Sequence, residues 1–251
     1  MTSRISLSRT RERSCRSRYV FGPVPSRRLG ASLGVDCIPF KTCNYDCIYC
    51  ELGKAKETIN TVAEYSPVSD ILKEIDLKLS NFLRPDHITI AGSGEPTLHS
   101  GIGEIIAGIK KLTDIPVVLL TNGSLFFRKD IREAACNADI VIPSLDAGNE
   151  RTFAAVNRPH PEISFQSMVD GICRFREEFR GNLWLEILFI EGFNTKDSEL
   201  TALKSYADRI APEIIHLNTI DRYPAELYAK KVRIDIMNEI ATFFGENAQI
   251  I

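Results

Sequence analysis

Residues 41–53 read KTCNYDCIYCELG, and their three cysteines, Cys43, Cys47 and Cys50, stand in a C-x3-C-x2-C spacing. Three soft thiolates this close together point to a metal. A closed tetrahedral zinc site takes four ligands, and most iron–sulfur cubes also take four cysteines, so one corner lacks a ligand. Cys37, six residues before Cys43, keeps a four-cysteine zinc site conceivable, although its apolar neighbours suit a buried structural thiol. Cys15, Cys136 and Cys173 show no ligand spacing, so no second cluster is expected.

Outward from this loop, apolar β-rich segments alternate with amphipathic helical ones. Strands are expected at SLGVDCIPF, HITIAG, PVVLLTN, DIVIPSL, LWLEILFIEG and EIIHLNTI. Helices are expected near 68–83, 100–112, 127–137, 163–180, 196–210 and 229–244. In the first helix Val68, Ile71, Leu72, Ile75 and Leu79 form one stripe, and Pro67 suits its first turn. Near-continuous apolar strands are those of a parallel sheet covered on both faces, joined by right-handed crossovers. Six such units fit an α/β fold, either most of a (β/α) barrel or a doubly wound sheet. Both put chemistry at the carboxyl ends of the strands.

The bulk numbers agree. The chain has 251 residues, 44% hydrophobic and 25% charged, with a formal net charge of -2. That is ordinary globular composition, with no run resembling a membrane span and no apolar leader. Seven cysteines in an uneven distribution predict a reducing, cytoplasmic setting. Residues 1–18 hold six arginines and one acid, so a disordered basic tail is expected there, followed by a single domain over 19–251. The tail reads as a solvated extension or as a basic arm.

Each strand runs into a polar stretch: the cysteine loop after the first, AGSGEPTLHS after the second, TNGS after the third, PSLDAG after the fourth and LNTIDRYPAE after the sixth. Any one of these reads equally as an ordinary turn; a set of them gathered at one end of a barrel does not. His87, His99, His160 and His216 form no paired ligand pattern. Trp184 and Phe189 read as core. Glu186 between them would be functional if it pointed into the barrel, a direction that alternation leaves open.

With those motifs in hand, the chain resembles the radical S-adenosylmethionine (radical SAM) enzymes from about Tyr19 to Glu226. CNYDCIYC is similar to their C-x3-C-x-Φ-C motif, with Tyr49 at the aromatic position, and GSGEP to their Gly-Glu motif. FGPVPSRRLG, TNGSLF, PSLDAG, NRPHP and LNTIDRYPAE resemble a single-domain group placed beside the wyosine-tRNA (imidazoG37) synthetase-like Fe–S oxidoreductases. The resemblance implies a partial TIM-type (β/α)6 barrel. It also implies a [4Fe–4S] cluster on Cys43, Cys47 and Cys50, whose fourth iron binds SAM; the missing ligand is then the substrate position. Reductive cleavage would yield a 5′-deoxyadenosyl radical that abstracts hydrogen from a substrate. By the same resemblance Glu95 would accept from the methionine ammonium, with Ser93 and Gly94 beside it. Tyr49 would lie on the adenine. Asn122 and Ser144 or Asp146 would contact ribose or methionine, Arg158 the methionine carboxylate, and Asn218 the adenine or substrate side. An external low-potential donor of flavodoxin or ferredoxin type is implied. For the substrate, a small molecule or peptide, a tRNA and a glycyl-radical protein stay open, as does a structural metal-binding module with no activity.

Overall fold

The computed structural model describes residues 18–81 and 84–251. The expected basic tail, apart from Arg18, lies outside the described residues. Eight strands form one sheet in chain order. Strand β1 (Val20–Ser26) runs antiparallel to β2 (Gly30–Val35). Then β3 (His87–Ile90), β4 (Val117–Thr121), β5 (Ile140–Pro143), β6 (Asn182–Phe189), β7 (Ile214–Thr219) and β8 (Ala248–Ile250) continue parallel to β2. Helices α1 (Val68–Asn81), α2 (Ile102–Leu112), α3 (Lys129–Ala135), α4 (Glu150–Val156), α5 (Phe165–Glu178), α6 (Asp197–Ile210) and α7 (Ile234–Phe244) lie in the connections. The six expected strands are β2 to β7, the partial (β/α)6 barrel; β1 and β8 are its edges and do not pair with each other.

Alternation along each strand sorts the two faces. On β6, Leu183, Leu185, Ile187 and Phe189 are buried toward the helices, while Trp184, Glu186 and Leu188 take the inner face. Ile71 and Ile75 of α1 are fully buried, and Val68, Leu72 and Leu79 pack beside them, so the predicted stripe is the packed one. Inside the barrel Leu29, Val118, Ile140 and Ile142, with Leu120 and Trp184, form an apolar plug.

Two expected boundaries differ. The first strand ends at Val35, not Phe40: Asp36 N makes a last hydrogen bond to Tyr19 O (2.7 Å), and the Asp36 carboxylate accepts from Ser93 N (3.1 Å) and Ser93 Oγ (2.5 Å). Cys37 is therefore not on a strand, yet it is buried in the main core as expected. The last helix starts at Ile234 rather than 229. The sheet is left open between β1 and β8, and side chains of the β1–β2 turn reach across. Arg28 Nη1 donates to Glu186 Oε2 at 2.6 Å, and Arg27 lies 3.6 Å from Asp221.

Candidate active site

Residues 36–67, between β2 and α1, carry the cysteines and are held on the strand ends by backbone hydrogen bonds. Lys41 N donates to Ser93 O (2.6 Å) and Glu95 N to Thr42 O (3.0 Å). Farther along, Asp46 N donates to Asn157 O, Ile48 N to Val156 O and Glu226 N to Ile48 O. Gly94 is what lets Thr42 O come this close: a Cβ there would sit 1.9 Å from it. The close approach that the GSGEP glycine permits is thus to the chain's own loop. Gly92, at φ +145, similarly leaves room for Asp36.

A cavity of about 600 Å³ opens at these strand ends. Cys43, Cys47, Cys50 and Tyr49 line it, with Gly92 and Gly94 after β3 and Glu186, Leu188 and Asn218 from β6 and β7. The β1–β2 turn supplies Arg27 and Arg28. Burial pushes the Cys43 thiol up to about 12, with the Glu95 charge adding to the rise. Burial likewise raises Cys47 well above its ordinary range, helped by Cys43 and Asp146. Without a metal these thiols hold their protons, so a metal centre entering here must displace them.

Two buried carboxylates stand behind the thiols. Glu95, 2% exposed, accepts from Thr97 N (3.0 Å), Thr97 Oγ1 (2.6 Å) and Thr121 Oγ1 (2.6 Å) on Oε1, and from Asn122 N (2.7 Å) on Oε2. It thereby caps the 3-10 turn Pro96–Leu98. Asp146, 3% exposed, accepts from Tyr49 Oη (2.5 Å), Asn157 Nδ2 (2.9 Å) and Leu188 N (2.9 Å). Burial lifts both carboxyls above their ordinary values, against the pull of these donors. Burial would lift Glu186 too, but the Arg28 guanidinium and Asn218 amide outweigh it and leave this carboxyl below its ordinary value.

Of the residues singled out in the sequence, the three cysteines, Tyr49, Gly94 and Asn218 line the cavity. Glu95, Asp146 and Asn122 lie behind it, bonded to the loop or its neighbours. Ser93 is tied to Asp36, and Ser144 N donates to Thr121 O at the end of β5. Arg158, at φ 47, donates to Glu226 (2.8 Å) and Tyr228 (2.6 Å) beside the loop. Glu186, whose direction alternation left open, points inward. Sequence reasoning missed Arg28, noticed only within the FGPVPSRRLG stretch of the resemblance, and Asn157, hidden in the NRP that drew attention to Arg158.

The profile of the Radical SAM superfamily matches residues 37–203. The chain therefore belongs to the radical SAM superfamily. Among its relatives, the UPF0026 protein of Methanocaldococcus jannaschii is 34% identical over 229 residues, 90% of this chain and 71% of that protein. A Brachyspira hyodysenteriae protein named GTPase Obg is 42% identical over 235 residues, 94% of this chain. The chain spans only 35% of that protein's length. The solved structure of TYW1 with a lysine-pyruvate adduct bound shares the fold, with a TM-score of 0.65 at 16% identity over 86% of this chain and 74% of that one.

The superfamily implies a [4Fe–4S] cluster and SAM, and the donor set fits them. Three thiols open onto one cavity that no further cysteine lines. Among the described residues, no three His, Cys, Asp or Glu side chains could hold a single metal ion. A cube makes a looser demand, because each thiolate binds a different iron. Zinc borrowing Cys37 does not fit, since that thiol is packed in the core away from the cavity. Among the described residues, no helix is long and apolar enough to cross a membrane.

Proposed function

We propose that this chain is a radical SAM enzyme that binds a [4Fe–4S] cluster through Cys43, Cys47 and Cys50. With that cluster bound it would cleave SAM reductively, and the resulting 5′-deoxyadenosyl radical would abstract hydrogen from an organic substrate. One observation carries the reading: three thiols, without a fourth, line the same cavity as the Gly-Glu turn and the ends of β6 and β7. A cluster held by Cys43, Cys47 and Cys50 would supply the one electron that reductive cleavage of the S–C5′ bond of SAM requires. The protein's own work is to place that bond and to keep water from it.

Tyr49, Gly94 and Asn218 touch SAM from the cavity wall. Ser93, Glu95, Asn122, Ser144, Asp146 and Arg158 shape that wall from behind or reach SAM at its rim, with Glu95 as the anion nearest the methionine ammonium. Residues 19–251 work as one domain. The electron comes from a separate low-potential flavodoxin or ferredoxin. A reducing, cytoplasmic setting is part of the same reading, because an exposed cluster of this kind needs its thiolates reduced.

The test is anaerobic reconstitution with iron and sulfide, reduction, addition of SAM and assay for 5′-deoxyadenosine. Product from the native chain, absent in Cys47→Ala, is the expected result. A fully loaded cluster that yields no product and whose EPR spectrum ignores SAM overturns the reading.

A further inference from the structure

Two side-chain amides reach the thiols. Asn122 Nδ2 lies 3.8 Å from Cys43 Sγ, and Asn157 Nδ2 lies 3.6 Å from Cys47 Sγ. The surroundings fix which end of each amide faces sulfur. Asn122 Oδ1 accepts from Ser124 N (3.0 Å) while its Nδ2 also donates to Asn44 Oδ1 (2.7 Å). Turned over, the amide would set donor against donor and acceptor against acceptor. Asn157, 2% exposed, donates from Nδ2 to Asp146 Oδ2 as well as to sulfur, and its own Oδ1 is buried without a hydrogen-bond partner. A buried carbonyl left unpaired is costly. Reversal would aim that oxygen at a carboxylate and a sulfur, which is worse.

The two contacts are built alike. Glu95 accepts from the backbone N of Asn122, whose side chain points to Cys43. Asp146 accepts from Asn157, whose side chain points to Cys47. Asp146 holds the Asn157 amide itself, whereas Glu95 holds the backbone from which the Asn122 side chain extends, and among the described residues neither carboxylate accepts a hydrogen bond from a cationic side chain.

We infer that Asn122 and Asn157 are positioning residues that donate N–H···S hydrogen bonds to the cluster-bound Cys43 and Cys47 thiolates and raise the cluster's reduction potential. This rests on the function proposed above. A neutral thiol is a weak acceptor, whereas a metal-bound thiolate makes the bond charge-assisted. Reduction adds negative charge to the cluster and its sulfurs, so each donor stabilises the reduced form more than the oxidised one. Such outer contacts are a recognised control on cluster potential.

The experiment is an EPR-monitored redox titration of the reconstituted native chain, Asn122→Leu, Asn157→Leu, the double variant and Asn60→Ala. Asn60 accepts from Asn44 in the same network without touching sulfur, so it reports loss of the network alone. Each leucine variant should have a lower midpoint. In the double variant the reduced-to-oxidised ratio at a fixed poise should fall about tenfold, taking bonds to charged groups as stronger than neutral ones, a shift of about 59 mV for a one-electron couple. Asn60→Ala should match the native chain. Native midpoints in all loaded variants overturn the inference while leaving the proposed function standing. Should the leucine variants fail to take up iron, pulsed EPR of the native cluster in protein labelled with 15N at the asparagine side-chain amides decides. Because the backbone N–H of Tyr45 also donates to Cys43 Sγ at 3.4 Å, the decisive signal is coupling from 15N confined to the asparagine side-chain amides: its presence supports the two contacts, and its absence overturns them. A native chain that takes up no cluster overturns the inference together with the function.

Discussion

Gly94→Ala tests whether the loop is seated as described. The new Cβ would lie 1.9 Å from Thr42 O, 2.7 Å from Thr42 C and 2.7 Å from Ile38 Cγ2. Reaching ordinary van der Waals separation, about 3.5 Å, requires the loop to lift by about 1.5 Å. A lift of that size stretches the 3.0 Å bond from Glu95 N to Thr42 O and the 2.6 Å bond from Lys41 N to Ser93 O beyond hydrogen-bond range. Two such bonds are worth about 1 kcal/mol each, and the overpacking adds about 1–3 kcal/mol. The total is about 3–5 kcal/mol, on the order of 10 °C in Tm for a chain of this size. Gly53→Ala is the comparison: Gly53 sits in the same loop at φ +82, with nothing near its would-be Cβ. It should cost about 1–2 kcal/mol, from the backbone alone. Urea unfolding of the three proteins, with iron content after reconstitution, measures both effects. Gly94→Ala should also lose iron, because Cys43 follows directly on the displaced residue. A Gly94→Ala chain that unfolds and loads iron like Gly53→Ala would refute the seating.

The ion pair across the open seam should behave as one unit. Arg28→Met or Glu186→Leu alone should each cost about 3 kcal/mol or more, since each strands a largely buried partner, while the two together should cost less than the sum of the two single losses. A denaturation double-mutant cycle showing additivity would count against the pair. His216 predicts an acid-sensitive window. Burial first, then the Arg28 charge, lower its pKa from 6.5 to about 4, so the unfolded chain binds a proton there that the folded chain does not. Stability contributed by the neutral ring is complete above pH 6.5 and declines as pH falls toward about 4. His216→Phe, which keeps the edge-to-face contact with Trp184, should flatten that slope in urea midpoints taken at pH 7, 6 and 5; equal slopes would reject the assignment.

What could be read from the chain and what could not divide by the range of the interactions. The cysteine spacing, the α1 stripe and the polar strand ends are local patterns, and the structure has them where expected. Strand β1 escaped because VFGPVPS, with Gly22, Pro23 and Pro25, lacks a strand's composition, and such residues are tolerated on an edge strand. Helix α4 has only seven residues, and β8 only three. The missed site residues are long-range: Arg28 and Glu186 are 158 positions apart, and Asn157 and Cys47 are 110 apart. No spacing rule links such pairs. GSGEP shows the other limit, because the motif revealed that glycine was needed, and only the packing revealed that the approaching group is Thr42.

The two buried carboxylates explain why the loop is preorganised rather than shaped by the cluster alone. A carboxylate taken from water without a cation is costly, and donors recover only part of the cost. Glu95 and Asp146 nonetheless occupy matching places behind Cys43 and Cys47, each with neutral donors only. If these acids served stability alone, apolar residues would pack there at lower cost. What an apolar side chain cannot do is accept these donors: Asp146 fixes the Asn157 amide and the Tyr49 ring beside the thiols, and Glu95 fixes the backbone at Asn122. Their charge opposes a second electron-rich centre nearby, whereas the amides they orient favour it. The reduction potential is then set by a contest between groups a few ångströms apart, all held by protein contacts before any iron arrives. On the function proposed above, that arrangement would let single hydrogen bonds of this chain adjust the potential of the cluster it holds.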